Sequence, residues 1–287
     1  MKVSELLTSG RPTLSFEFFP PRTAEQETQL YAALDGLKIF RPDFVSVTYG
    51  AMGTSRQKSF FWAKEIKQKY QLEPVGHLTC IAATRSDIAS QLEELSSFGV
   101  ANILALRGDP PAADTAFVSP ANGFRYAKDL ISFIKKTTPA LCVGCAGFPE
   151  GHPKAGSLAQ DTDYLKQKID AGAEYVMTQL FFDNSFYFAF LERCRQAGIK
   201  APIIPGLMPI TSYNQITKLT AVCGATLPTP LLAQLEKHQA DPKSIMEIGE
   251  EQAVRQCQEL TANKVPGLHF FVMNRAAPIT DILTALK

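Results

Sequence analysis

No stretch of the 287 residues stays apolar for anything near the roughly 20 positions that a membrane-spanning helix needs. Charge of one sign is also missing. Lysine plus arginine number 29 against 28 aspartates and glutamates, so no overall field selects nucleic acid or an anionic membrane as partner. The start, Met1-Lys-Val-Ser-Glu-Leu-Leu7, carries a charge at Glu5 and lacks the apolar segment of a secretory leader, which predicts a cytoplasmic protein. Histidine is scarce at four residues, with no HExxH pair. There is no P-loop and no G-x-S-x-G elbow either. These absences argue against metalloprotease, nucleotide-hydrolysing and serine-hydrolase chemistry, and no metal site is expected. The six cysteines are scattered, which suits reduced thiols better than a disulfide framework. Cys142 and Cys145 fall in Leu141-Cys-Val-Gly-Cys-Ala146, a buried-strand pattern that predicts small core residues instead of a redox pair.

What the chain does have is alternation. Leu14-Ser-Phe-Glu-Phe-Phe-Pro-Pro21 is a β-prone run closed by proline. Strand periodicity puts Ser15, Glu17 and Phe19 on one face and Leu14, Phe16 and Phe18 on the other. Among apolar neighbours the Glu17 carboxyl loses solvation, so its neutral, proton-donating form is expected. Further strands are predicted at 44–50, 74–81, 102–109, 141–146, 175–180, 202–207 and 267–272. Between them lie helical patterns opened by Thr23-x-x-Gln26, Ser157-x-x-Gln160 and Ser212-x-x-Gln215. A short inserted helix at 227–238 and a longer one at 244–263 precede the last strand. Eight strand–helix units with no low-complexity linker predict an α/β protein, a (β/α)8 TIM barrel occupying residues 1–287 as a single domain. A doubly wound open sheet is the runner-up, without a glycine-rich fingerprint after the first strand to support it.

In such a barrel the chemistry belongs to the C-terminal ends of the strands. Polar residues collect there: Glu17, Thr48, Tyr49, His77, Thr79, Arg107, Asp109 and Gln179. On the fourth strand, Ile103, Ala105, Arg107 and Asp109 are assigned the functional face and Leu104 and Leu106 the helix-facing one. Each residue has a plain structural reading as well. His77 could be a satisfied core histidine, Arg107 and Asp109 could pair, and Gln215 occupies the third position of a capping box. His152 and Asp161 have no spacing signal of their own. Two carboxylates with arginine, tyrosine and amides suit proton transfer on a large polar heterocycle. Any redox step needs a bound cofactor, because no side chain here supplies a hydride.

Seven segments, taken together and in order, resemble methylenetetrahydrofolate reductases across the whole chain. They are Ser15-Phe-Glu-Phe-Phe-Pro-Pro-Arg22, Val45-Ser-Val-Thr-Tyr-Gly50, His77-Leu-Thr-Cys80, Leu106-Arg-Gly-Asp109, Thr178-Gln-Leu-Phe-Phe-Asp183, Ile204-Pro-Gly206 and Asn274-Arg275. The resemblance implies a flavoprotein of one-carbon metabolism that reduces 5,10-methylenetetrahydrofolate to 5-methyltetrahydrofolate. It implies Glu17 as general acid and Asp109 as a second catalytic group that contacts pterin and flavin. Gln179, Gln215 and Arg275 match folate-contacting positions. Thr48, Tyr49, Ala51, His77, Arg107 and Gly108 match flavin contacts, as do Tyr126, Ala127, Phe148, His152, Ala155, Asp161 and Lys168.

The pattern has departures. Phe148 stands where relatives often carry tyrosine, and Tyr164 and Gln167 replace the asparagine and arginine expected near the FAD tail. Leu219 and Phe271 replace a phenylalanine and a tyrosine. The implied cofactor is FAD, with FMN as the alternative, and the electrons come from NAD(P)H or from a partner subunit. An oligomer is expected. Two other functions stay open from the residues: a folate-binding barrel that transfers methyl groups without redox, and a flavin subunit that relays electrons inside a complex.

Overall fold

The structure is a computed structural model that describes residues 1–48, 56–108 and 120–287. Tyr49, Ala51 and Asp109 lie outside the described residues. Eight parallel strands close into a barrel in sequence order. They are β1 (Thr13–Phe18), β2 (Phe44–Val47), β3 (Pro74–Thr79), β4 (Asn102–Leu106), β5 (Cys142–Gly147), β6 (Tyr175–Leu180), β7 (Ile203–Leu207) and β8 (Gly267–Phe271). Pairing of β1 with β8, from Thr13–Gly267 to Glu17–Phe271, completes the ring. The (β/α)8 expectation therefore holds.

The helices are α1 (Val3–Leu7), α2 (Ala24–Leu37), α3 (Arg56–Lys69), α4 (Arg85–Ser97), α5 (Ala127–Thr137), α6 (Leu158–Asp170), α7 (Asn184–Gln196), α8 (Tyr213–Cys223), α9 (Thr229–Lys237), α10 (Pro242–Ala262) and α11 (Ala276–Ala285). Their starts follow local chemistry. Thr23, Ser157 and Ser212 each accept a hydrogen bond from the backbone three residues on, and Thr84 forms a reciprocal box with Asp87. The inserted helix is α9, and α10 follows it before β8. None of the described helices is long and apolar enough to cross a membrane.

Two apolar layers hold the barrel. The outer one lies between strands and helices and includes Phe16, Phe18, Val45, Ile103, Ala105, Val143 and Phe270. The inner one fills the barrel's floor with Phe44, Val75, Leu104, Cys142, Tyr175, Met177 and Ile204, and Leu106 packs on it. Gly144 makes this possible, because a Cβ there would meet the Tyr175 ring at 2.3 Å. Helix α1 closes the bottom, placing Val3 and Leu6 in the same inner cluster.

This partition confirms the predicted faces of β1 and reverses those of β4. Leu104 and Leu106 point inward, and Ile103 and Ala105 face the helices. Extrapolation back from Arg107 gives the opposite faces, but β4 ends at Leu106 and Gly108 has φ of +80°, so strand alternation does not reach Arg107. Cys142 and Cys145 sit on opposite faces of β5, one in each layer, and both thiols are free and buried. Burial raises the pKa of both, as expected of core residues.

Candidate active site

Above the apolar floor, the inward positions turn polar. Ser15 and Glu17 on β1, Ser46 on β2, His77 on β3 and His269 on β8 are all buried at 6% exposure or less. Their convergence follows from register, since Glu17 pairs with Ser46 on one side and Ser15 with His269 on the other. Three groups reach the same atom, Oε2 of Glu17. Ser46 Oγ donates to it at 3.0 Å, and the Nε2 atoms of His77 and His269 lie 3.3 and 3.4 Å away. His269 Nδ1 in turn meets Ser15 Oγ at 2.9 Å.

Burial drives the Glu17 carboxyl upward in pKa. The charges of His77 and His269, with the hydrogen bond of His269, overcome that and hold it far below the usual carboxylate range. That direction is opposite to the one expected from burial among apolar neighbours, because two imidazoles stand beside the carboxyl. Among the described residues no group of His, Cys, Asp and Glu is arranged to hold a metal ion. In this trio the imidazole nitrogens rest on the carboxylate oxygen itself.

His269 was not foreseen as a site residue. Its signal is parity on β8: Gly267, His269 and Phe271 share the inward face, the face that carries Glu17 on β1. Ser15, which reaches it, shares the Glu17 face of β1.

The other expected residues that the structure describes lie at the same end of the barrel. Thr48 follows β2, and its hydroxyl is buried with no hydrogen-bond partner among the described residues. Arg107 is exposed just past β4. Gly108 follows in a left-handed conformation, with no room for a Cβ against Ile81 at 2.6 Å. Tyr126, an exposed residue, is the N-cap of α5, and Ala127 begins that helix.

Beyond β5, the Phe148 ring meets the His152 ring edge-on at 4.6 Å, and the Ala155 amide donates to the His152 carbonyl. Asp161 is buried in the first turn of α6, and burial raises its pKa against the pull of Lys168 and His152. Lys168 Nζ donates to the Ala146 carbonyl at 2.6 Å. Gln179, near the end of β6, lines a narrow cleft with Phe148 and Cys223. Gln215 donates its amide to Ser212 in the first turn of α8, keeping its capping role. Arg275 is exposed after β8 and caps α11. A hollow of about 260 Å³ between Tyr31 and Tyr70 lies on the outer helices and holds none of these side chains.

Chemically, this rim offers a carboxylate–imidazole cluster for moving one proton. A buried hydroxyl and a glycine turn beside it leave polar contacts open to a ligand, and Arg275 adds a cation at the edge.

Comparison with known proteins bears on the family. The family model described as methylenetetrahydrofolate reductase matches residues 2–287. The 5,10-methylenetetrahydrofolate reductase of Salmonella typhimurium is 37% identical over 269 residues, covering 93% of this chain and 88% of its own. A probable methylenetetrahydrofolate reductase (NADH) of Oryza sativa is 34% identical, covering 99% of this chain and 50% of its own. This chain thus spans about half the length of the plant relatives it matches. A solved structure of an uncharacterized protein from Clostridium thermocellum, described as binding two copies of 5-methyl-5,6,7,8-tetrahydrofolic acid, superposes with a TM-score of 0.68. Its identity is 15%, with 99% and 98% of the two chains covered, so it speaks to the barrel alone. Matched over nearly its full length, the chain belongs to the methylenetetrahydrofolate reductase family.

Proposed function

We propose that this chain reduces 5,10-methylenetetrahydrofolate to 5-methyltetrahydrofolate on a bound flavin, with electrons from NAD(P)H or a partner subunit. The observation that carries the reading is Glu17, buried at the top of β1 against Ser46, His77 and His269. The rim fits a flavin: the Thr48 hydroxyl is buried without a partner among the described residues, and the Gly108 turn offers backbone at the same end. When bound there, the flavin supplies the hydride. Thr48, His77, Arg107 and Gly108 would hold its ring system, and Tyr126, Phe148, His152 and Asp161 its tail. Tyr49, Ala51 and Asp109 are assigned to the site by their motifs.

The chain's own work is on the proton. Ser15 can donate to the Leu268 carbonyl at 3.3 Å, which leaves its oxygen to accept from His269 Nδ1–H. His269 Nε2 then faces Glu17 Oε2, a path by which a proton can reach the carboxyl. Glu17 passes that proton to a folate ring nitrogen as the five-membered ring opens. The carboxylate left behind faces the cation it has created, and its preference for the ionised form stabilises that charge. Arg275 suits a folate carboxylate or pterin carbonyl, and Gln179 and Gln215 suit the pterin edge.

FAD is the expected cofactor and FMN the alternative. Gln167, on the tail side, already bonds Lys128 and Asp163, so it is committed within the protein.

The test is purification followed by release of the bound cofactor and an assay of methylenetetrahydrofolate reduction. A yellow protein is expected. Glu17→Gln should keep its flavin and lose on the order of 10²- to 10⁴-fold in turnover, the usual range for a general acid. A colourless protein that takes up neither flavin would instead favour methyl transfer without redox. Full activity in Glu17→Gln would remove this residue from the mechanism.

A further inference from the structure

The seam between β1 and β8 ends in an arrangement that regular strand pairing does not require. The last ladder bond runs from the Val272 amide to the Glu17 carbonyl at 3.1 Å. Beyond it, the chain after β8 turns through two consecutive non-glycine residues in the left-handed region, Met273 at φ +53° and Asn274 at φ +57°. Side chains disfavour that region, and asparagine is among the few that tolerate it. The Asn274 carboxamide then binds across the seam. The Phe19 amide donates to Asn274 Oδ1, and Asn274 Nδ2 donates to the Phe19 carbonyl, both at 2.9 Å. A side chain thus takes the place of one more peptide rung, two residues past Glu17, where Pro20 has no N–H to continue the ladder.

Arg275 comes next. Its amide closes the turn on the Val272 carbonyl at 3.1 Å. Its guanidinium is exposed at the rim and has no hydrogen bond or ion pair among the described residues. Its position is therefore set by the backbone that carries it. Strain stored in this way persists when surrounding bonds over-determine it, and it collects at functional sites.

We propose that Asn274 is a positioning residue for folate: its carboxamide locks the left-handed turn to the end of β1, so that Glu17 and Arg275 are presented to one substrate in a fixed relation. The inference rests on the folate reading above and extends it to a residue that touches only backbone. Glycine separates the two parts of the role. It accepts positive φ without strain but has no carboxamide. Aspartate tolerates the turn and can accept from the Phe19 amide, yet sets an oxygen against the Phe19 carbonyl.

The experiment titrates purified flavin-loaded protein with 5-methyltetrahydrofolate in the absence of oxygen and follows flavin bleaching. It is run on wild type, Asn274→Gly, Asn274→Asp, Arg275→Ala and the double variant Asn274→Gly/Arg275→Ala. The Asn274→Gly variant is expected to keep wild-type flavin content and to need about tenfold more folate for half-saturation, a loss of about 1.4 kcal/mol. Asn274→Asp should lose at least as much. The double variant should resemble Arg275→Ala alone, since an arginine that is gone cannot be mispositioned. Wild-type titration of Asn274→Gly, or losses in the two single variants that simply add, would overturn the inference while leaving the folate reading intact. Failure of the wild-type protein itself to bleach would take both down.

Discussion

Burial by itself would push a carboxyl like Glu17 towards its neutral form, and His77 and His269 reverse the sign. The consequence reaches stability as well as catalysis. The folded protein holds this carboxyl below its ordinary value of 4.5, so the unfolded chain binds the proton more readily. Glu17 therefore stabilises the fold fully above that ordinary value, and the contribution is lost as pH falls below it. The difference in Tm between wild type and Glu17→Gln should shift against wild type as pH is lowered from 7 to 3, measured by thermal unfolding in a pH series. A difference that does not change with pH would show that the imidazoles do not hold Glu17 ionised. Glu17 itself could be found from sequence, because alternation and a proline stop placed it at a strand end facing inward. His269 could not. A single histidine in an apolar strand acquires meaning only when register sets it opposite Ser15 and beside Glu17.

Among the elements, α1 shows what local pattern leaves out. Five residues are too few to carry a helical period, so sequence pattern alone shows no helix in Met1-Lys-Val-Ser-Glu-Leu-Leu7. Its helix depends on tertiary partners. Val3 N–H donates to Asn102 Oδ1 at 2.8 Å, Ser4 Oγ donates to Glu174, and Val3 and Leu6 close the inner apolar layer. Leu6→Ala should cost about 2 kcal/mol, the low end for a buried leucine because Leu6 keeps 8% exposure. That corresponds to a fall in Tm of about 4 to 8 °C. Folate turnover below the melting range should be unchanged, since α1 lies at the opposite end from the rim. A loss of turnover without loss of Tm would contradict this placement. Strand β4 teaches a different lesson. Ile103 to Leu106 are all apolar, so either face could be inward, and extrapolation from Arg107 selects the wrong one. Only the inner packing of Leu104 against the barrel floor decides it.

For the molecule as a whole, closure of the barrel turns scattered strand ends into one rim. The alternation of eight strands with helices was enough to predict this, because parallel strands covered by helices leave few topologies at this length. It also explains why residues as distant as Glu17, Thr48, His77, Gly108, Gln179 and Arg275 share one end while their spacing in sequence carries no motif logic. The electron donor enters the proposal only as NAD(P)H or a partner subunit. The central claim can be tested without knowing that donor, through the half-reaction between bound flavin and folate. Purified protein mixed anaerobically with 5-methyltetrahydrofolate should lose its visible flavin band, and Glu17→Gln with the same flavin content should bleach at least 10²-fold more slowly. A wild-type protein whose flavin stays oxidised under excess folate, or a variant that bleaches as fast as wild type, would contradict the account.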